Sequence, residues 1–503
     1  MFGASVKYAA VLAITTALCC DSSSALLQYR KDDSNVAMRR KGPSSCVVVR
    51  QSRDEVPVTA EEEIQFQLHS SISEIPSDKW DHCLLDDEYA SPFMQHSWLR
   101  CLEESKCVSR ETGWMPQHVS IIVNGEPWCG FIPLYVKSHS MGEFIFDSGW
   151  ADAATANGIV YYPKLLVAVP FTPATGRRIL LHPKLRVQFS KERISTLRKM
   201  VASFLKQVAR NNNMSSVHLN FLTADEASDI AGAVPRSQAG KVNKDGNRQN
   251  AFQSLMKKFK TRDFDDDYVR RTSLQYQWTN TNPTNKGKPY RDFEEYLSCF
   301  KSKRRIAIRR ERAKVHKDED IQIDAVVGKD ILKYEGLLER MFRIYLSTVN
   351  KIFWGKQYLT LEFFQLLATS DFIDNICFMC ARRKSSGEAL KAADVIAGTF
   401  NIVKNGVFYG RYWGCLDEVK NLHFETCYWA PIEYCIKNGL KRMEPGAGGG
   451  GKLFSRELRV VLSVTSYDCT TAALTQITNG RGALILLSST LRTIFATLDC
   501  AKQ

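Results

Sequence analysis

The chain has 503 residues, enough for two or three domains of ordinary size. Hydrophobic residues make up 44% and charged residues 24%, which excludes a fully disordered chain, a collagen-like fibre and a polytopic membrane protein. A net charge of +14 favours anionic partners, unless a basic leader inflates it. Fifteen cysteines are too sparse over this length for a disulfide scaffold. The close pair Cys377 and Cys380 lies in an apolar run that reads as a strand, where positions three apart face opposite sides and cannot share a metal. Reduced, buried thiols and no metal are the expectation.

Residues 1–60 read as a targeting leader. Lys7 gives a short positive start, Tyr8 to Cys20 is uncharged and largely apolar, and Ser23-Ser24-Ala25 offers a cleavage site. That apolar run is too short for a bilayer, which takes about 20 residues, and no later segment is long enough to span. Arg30, Lys31, Arg39, Arg40, Lys41, Arg50 and Arg53 follow with interspersed serines. A signal peptide followed by such a stretch resembles the two-part plastid (chloroplast) leaders of algae with secondary plastids. Secretion and a buried helix are the competing readings.

Two stretches of the remaining chain are patterned alike. In 61–223, Ser91 caps a helix with Pro92 in its first turn and Phe93, Trp98, Leu99 and Leu102 on its apolar face. Strands are expected at His118–Val123, Trp128–Lys137 and Glu143–Trp150, the first two joined through Asn124-Gly125. A long helix follows, with Ile194, Leu197, Val201, Phe204, Leu205 and Val208 on one face. Asn211 to Asn213 stop it, and Val217–Leu222 is a further strand. Residues 224–267 are polar and non-periodic, a linker or insertion. In 268–452 the order repeats: helices at Ile331–Asn350 and Leu361–Thr369, then strands at Ile376–Arg382, Asp394–Lys404 and Val407–Gly414. Asn405-Gly406 joins the last two. A helix from about His423 to Lys437 ends at Gly439, and Lys441–Glu444 is a short strand. Residues 453–503, after a glycine tract, form an atypical tail. The fold class is α/β (α+β): two tandem units, each a mixed sheet flanked by helices.

Several runs are specific enough to resemble a known family. They are Pro133 to Phe144, Phe146 to Asp152, Tyr161 to Leu165, Pro170 to Gly176, Tyr409 to Gly414 and Gly439 to Gly446. Together they resemble the bacterial and plastid GNAT-like, peptidoglycan-biosynthesis-related acyltransferases, over most of Lys79 to Leu222 and Tyr268 to Lys452. The resemblance implies a tandem GNAT (acyl-CoA N-acyltransferase) fold related to the Fem-type aminoacyltransferases. It also implies transfer of an acyl group from an acyl-CoA or aminoacyl-tRNA to an amine. The Gln/Arg-x-x-Gly-x-Gly loop that cradles a CoA pyrophosphate in many single-domain relatives is missing, and Cys415 to Val419 stand after Gly414 instead.

Such transfer needs a base, oxyanion donors and tight positioning. Asp147 and Asp152 flank a predicted strand end and are candidate bases, with backbone capping the plainer alternative. Glu425, opening a helix, is a third, or else a helix-dipole partner. Lys137, His139 and Glu143 cluster around the turn before Asp147, and Tyr135, Lys137, His139 and Trp150 could meet substrate or donor; a solvated polar hairpin is the plainer account of His139. Tyr161, Tyr162, Lys164 and Arg177 lie in a proline-rich loop, either lining a cleft or merely rigid. On the Val407–Gly414 strand, Tyr409 and Arg411 share one face and Tyr412 takes the other, with Trp413 beside them. Arg411 could hold a phosphate or carboxylate, or pair with Glu425 or Glu444. Nine basic residues crowd Lys301 to Lys317. Within them Arg304, Arg305, Arg309 and Arg310 are candidate contacts for RNA or a pyrophosphate, or simply a solvated helix. The expected function is an N-acyltransferase with a small-molecule or peptide amine acceptor, tRNA being a conceivable partner. The alternative is a non-catalytic scaffold binding RNA through 301–317.

Overall fold

A computed structural model of the chain describes residues 63–145, 147–231, 268–351, 356–384 and 389–446, with the backbones of strands at 25–32, 35–39, 47–49 and 459–469. Most of the expected leader, residues 232–267 and residues 470–503 lie outside the described residues. The first unit runs β1 (Ile64–His69), α1 (Ser77–His82), α2 (His96–Glu104), β2 (Trp114–Pro116), β3 (His118–Val123), β4 (Glu126–Ile132) and β5 (Leu134–Lys137). It continues with α3 (Ser148–Ala156), β6 (Lys164–Val167), β7 (Leu180–Leu181), α4 (Pro183–Gln188), α5 (Lys191–Asn211), β8 (Ser216–Leu222) and α6 (Ala224–Ala231). The second runs β9 (Val269–Thr279), α7 (Phe293–Ser298), α8 (Ser302–Ala313), β10 (Ile321–Val327), α9 (Leu337–Lys351) and α10 (Leu361–Thr369). Then come β11 (Ile376–Arg383), β12 (Val395–Lys404), β13 (Val407–Cys415), α11 (Ala430–Lys437), β14 (Arg442–Glu444) and β15 (Arg459–Cys469).

The two units share one plan. β1, β3 and β4 form an antiparallel set, as do β10, β11 and β12. A parallel step across a helix follows each: β6 to β8 over α5, and β13 to β14 over the helix ending in α11. Both hairpins announced by Asn-Gly are present. Asn124 and Gly125 have φ of +52° and +78°, and Asn405 and Gly406 +52° and +77°, the left-handed pair a two-residue hairpin requires.

Four expectations change. Trp128–Lys137 is not one strand, because Pro133 lacks the N–H that would continue the ladder. β4 stays beside β3, while β5 crosses to pair with β6 and β2. Glu143–Trp150 is not a strand at all. Gly142 and Phe144 have φ of +80° and +55°, and Ser148 already begins α3. Ala224–Ala231 is a helix whose buried Glu226 accepts the backbone N–H groups of Arg178 and Ile179 at 3.0 and 2.9 Å. Those residues therefore belong to the first unit. Arg459–Cys469 pairs with β8 on one side and β9 on the other. The strand order is β10-β11-β12-β13-β14-β9-β15-β8-β6-β5-β2, so one sheet runs through both units.

One core lies between α5 and the sheet, with Leu134, Leu165, Val167, Val217 and Leu219 under Leu197, Val201, Phe204 and Leu205. Another belongs to both units: Trp98 of α2 packs on Phe363 and Phe372 of the second unit, ring centres 5.3 and 5.1 Å away. Each such buried side chain contributes about 1.5–3 kcal/mol. Cys377 and Cys380 are buried on opposite faces of β11, in separate cores.

Candidate functional site

The parallel pair β6 and β8, with β5 beside them, has one apolar and one polar face. Lys137 is directly opposite Lys164, and Leu166 opposite His218. By the period of two, Lys137, Lys164, Ser216 and His218 share the face turned away from α5. The segment 138–147 folds over that face and brings Ser140, Glu143 and Asp147 onto it. Asp147 stands at the N-cap of α3, yet its carboxylate caps no backbone N–H. It turns inward instead.

Lys164 is the hub. Its ammonium donates to Asp147 Oδ2 at 2.7 Å, Glu143 Oε2 at 3.0 Å and Ser140 Oγ at 3.1 Å, and lies 3.4 Å from His218 Nδ1. Tyr161 OH donates to Asp147 Oδ2 at 2.9 Å. Ser140 Oγ and Tyr162 OH share a hydrogen bond of 2.6 Å, and Ser216 Oγ meets His218 Nε2 at 3.0 Å. The side chains of Lys164, Glu143 and Asp147 are 0% exposed. Glu143 Oε1 and Asp147 Oδ1 have no hydrogen-bond partner among the described residues.

Burial sets the charge states. It pushes the Glu143 carboxyl up to about 7, against the pull of Lys164 and with help from Asp147. It pushes Lys137 down to about 6, although Glu143 opposes this. Burial, then Lys164, keeps His218 well below its ordinary value and hence neutral. Glu143 thus gains and loses its proton close to neutral pH, beside the side chains of Asp147 and Lys164. Glu143, Asp147 and His218 each offer a ligand atom within 4.8 Å of the others, the spacing of a metal site, and the Lys164 ammonium supplies positive charge among them.

Of the residues expected at a site, Asp147 and Lys164 meet in this cluster and Lys137 borders it. Lys137 Nζ lies 3.8 Å over the Trp114 ring and donates to Met141 O at 3.2 Å. His139 Nδ1 accepts the Met141 N–H at 3.1 Å, a local turn contact. Tyr135 is core, edge-on to Trp114 and His118. Asp152 is exposed on α3, and Trp150 packs against Ile145 and Phe221. Arg177 is tied to Asp87 at 3.1 Å, Thr223 at 3.0 Å and Asp225 at 2.7 Å, an internal network.

Glu425 is buried far along the chain from this cluster, in a different one. It accepts from Arg312 Nε at 3.1 Å and His316 Nε2 at 3.0 Å, and Arg411 is not its partner. Arg411 and Tyr412 do not take opposite faces either. The β12–β13 register slips at Arg411, pairing Phe400 with Tyr412 but Asn401 with Gly410. The bulge aims both side chains at the Phe171 carbonyl of the first unit, Tyr412 OH lying 3.4 Å from it. Tyr409 meets Phe93 edge-on at 5.3 Å, and Trp413 meets His423 at 5.2 Å. The contacts of all four are with other protein groups, those of the first three at the seam between the units. On α8, Arg304 pairs with Glu311 at 3.5 Å and Arg309 with Glu294. No ion pair of Arg305 or Arg310 is found among the described residues.

Sequence reasoning grouped Glu143 with Lys137 and His139 at one turn but missed Ser140, Ser216 and His218 as members of the site. The available signal was the alternation of Ser216, His218 and Asn220 with Val217, Leu219 and Phe221 along one strand.

A family model described as peptidoglycan biosynthesis/recognition, FemAB-like, matches residues 71–478. The chain belongs to the FemAB-like family. Among solved structures it is similar to FemX at 11% identity and a TM-score of 0.41, covering 80% of this chain and 98% of that one. It is also similar to the C-terminal domain of a lysylphosphatidylglycerol synthetase from Agrobacterium fabrum, at 8% and 0.41, covering 83% and 97%. A tandem GNAT protein from the clavulanic acid biosynthesis pathway matches at 11% and 0.37, covering 80% and 98%. No curated protein matches the sequence. As a FemAB-like chain it has no helix, among the described residues, long and apolar enough to cross a membrane.

Proposed function

We propose that this FemAB-like protein is an N-acyltransferase. It would move an acyl or aminoacyl group from an acyl-CoA or aminoacyl-tRNA to the amine of a small-molecule or peptide acceptor of peptidoglycan type. Membership of the family over residues 71–478 is the observation that carries this reading. The chemistry asks for a neutral amine, because an ammonium has no lone pair to attack the donor carbonyl. The acceptor must therefore lose a proton near neutral pH, where an ordinary carboxylate is a poor base. The Glu143–Asp147–Lys164 cluster supports the reading by burying a carboxyl that exchanges its proton near neutral pH beside Lys164 and Asp147. Asp147, held by Tyr161 and Lys164, fixes the geometry of that group.

The test is transfer itself. Full-length protein incubated with labelled acyl-CoAs and charged tRNAs should label a peptide amine. Asp147→Asn should lower the rate by about 10²–10⁴-fold without loss of folding. Absence of transfer from every donor to every amine would sink the acyltransferase reading. RNA binding that weakens with salt and vanishes in an Arg305→Ala, Arg310→Ala double variant would then favour the scaffold reading. The two-part leader supports plastid delivery, which a fluorescent fusion of residues 1–60 checks by location.

A further inference from the structure

One set of hydrogen bonds leaves the buried cluster and reaches toward the surface. From Glu143 Oε2 it passes to Lys164 Nζ at 3.0 Å, from there to Ser140 Oγ at 3.1 Å, and on to Tyr162 OH at 2.6 Å. Glu143 is buried, Ser140 and Tyr162 are half-buried, and Pro163 next to Tyr162 is exposed. We propose that Tyr162, Ser140, Lys164 and Glu143 form a proton relay that takes the acceptor's proton from the surface to the Glu143 carboxylate. The inference rests on the acyltransferase reading above and names how that reaction's proton leaves.

The two carboxylates are not equivalent, which is why the proton ends on Glu143. Asp147 Oδ2 accepts from both Tyr161 OH and Lys164, whereas Glu143 Oε2 accepts from Lys164 alone. Each donor favours the ionised form of its acceptor, and Glu143 has one such donor where Asp147 has two. The groups around Glu143 are Lys164, Asp147, Lys137, His218 and Tyr161, with His139 and Lys356 beyond Lys137. His218 is neutral and Lys137 largely so at neutral pH, and Lys164 cannot balance two carboxylates alone. One added proton restores neutrality. The unpaired Glu143 Oε1 leaves a free position for it.

The steps balance. Lys164 gives one N–H proton to Glu143 and becomes a neutral amine. The neutral amine turns about its Cε–Nζ bond so that its lone pair, left facing Glu143, comes to face Ser140 and takes the hydroxyl proton. Ser140 takes that of Tyr162, and Tyr162 takes one from the acceptor ammonium. Each intermediate group gains one proton and loses one. The net change is a protonated Glu143 and a neutral acceptor amine, ready to attack the donor carbonyl. The departing thiol or hydroxyl of the donor recovers a proton as the product amide forms.

The decisive measurements are pH–rate profiles and the infrared carboxylic-acid band of Glu143 in the full-length protein. Wild type should show an acidic limb in kcat near pH 7, and Glu143→Gln should lose both that limb and the band. Ser140→Ala and Tyr162→Phe should each lower kcat by about 10²-fold with KM and melting temperature little changed. Deuterium should enter the Glu143 carboxyl rapidly in wild type and markedly more slowly in Ser140→Ala. The relay is overturned by an unaltered acidic limb in Glu143→Gln, by full kcat in either hydroxyl variant, or by deuterium exchange that Ser140→Ala leaves unchanged. If no donor reacts, the acyltransferase reading falls, and the exchange experiment still decides whether the relay conducts protons.

Discussion

Two lysines face each other across β5 and β6, and burial treats them oppositely. Lys164 is paired with Glu143 and Asp147 at 3.0 and 2.7 Å. Among the described residues Lys137 finds a carbonyl and the Trp114 ring but no carboxylate partner. Removing Lys164 leaves two buried carboxylates without a counter-charge, so Lys164→Met should cost about 3–5 kcal/mol in urea unfolding. The cost should shrink below neutral pH, where Glu143 takes up a proton. Lys137→Met should instead be neutral or stabilising by about 1–4 kcal/mol, since a buried amine gives way to an apolar chain of similar length. In wild type, Lys137 must shed a proton to fold at any pH between about 6 and its ordinary value of 10.5, because the unfolded chain keeps it charged. That penalty is full below pH 6 and fades as pH rises to 10.5. The gain from Lys137→Met should fade with it, and a gain that grows toward high pH would contradict the assignment.

At the level of elements, the sequence was most legible where one local rule decides the outcome. α5, both Asn-Gly hairpins and the β11 to β13 strands follow from period and turn chemistry close to their expected bounds. The failures share a cause: apolar residues whose partners are distant. Phe144 and Ile145 look like strand residues, but Ile145 packs on Phe221 and Phe144 takes a left-handed backbone. Lys164 and His218 are 54 residues apart, so no local pattern joins them. Glycines show the same division. Gly125 has φ of +78° and open space around it, so Gly125→Ala should cost about 1–2 kcal/mol for its backbone alone. Gly414 has no such φ, yet a Cβ there would collide with the carbonyl of Ile344 on α9. Backbone cannot step aside as a side-chain tip can. Gly414→Ala should therefore exceed the about 1–3 kcal/mol usual for overpacking, and equal melting temperatures for the two variants would refute the α9–β13 contact.

Across the whole molecule, part of the densest basic run is paired among the described residues. Arg312 is spent on Glu425 and Glu433, Arg309 on Glu294 and Arg304 on Glu311, so α8 is partly an internal brace. The units themselves are joined in two ways. One is the shared aromatic core of Trp98, Phe363, Phe372 and Phe400, together with the Asn375–Gln95 hydrogen bond of 3.1 Å. The other is β15, which lies between β8 and β9 and makes the sheet continuous. A chain ending at residue 452 keeps the first link and loses the second. It would expose an edge of β8, wholly buried in the intact protein, and of β9. Such edges invite pairing between molecules, so the 1–452 chain should melt lower and elute as larger species on size exclusion than a chain ending at 478. Equal monomer content and melting temperature would show that β15 is dispensable and that the aromatic core alone unites the two units.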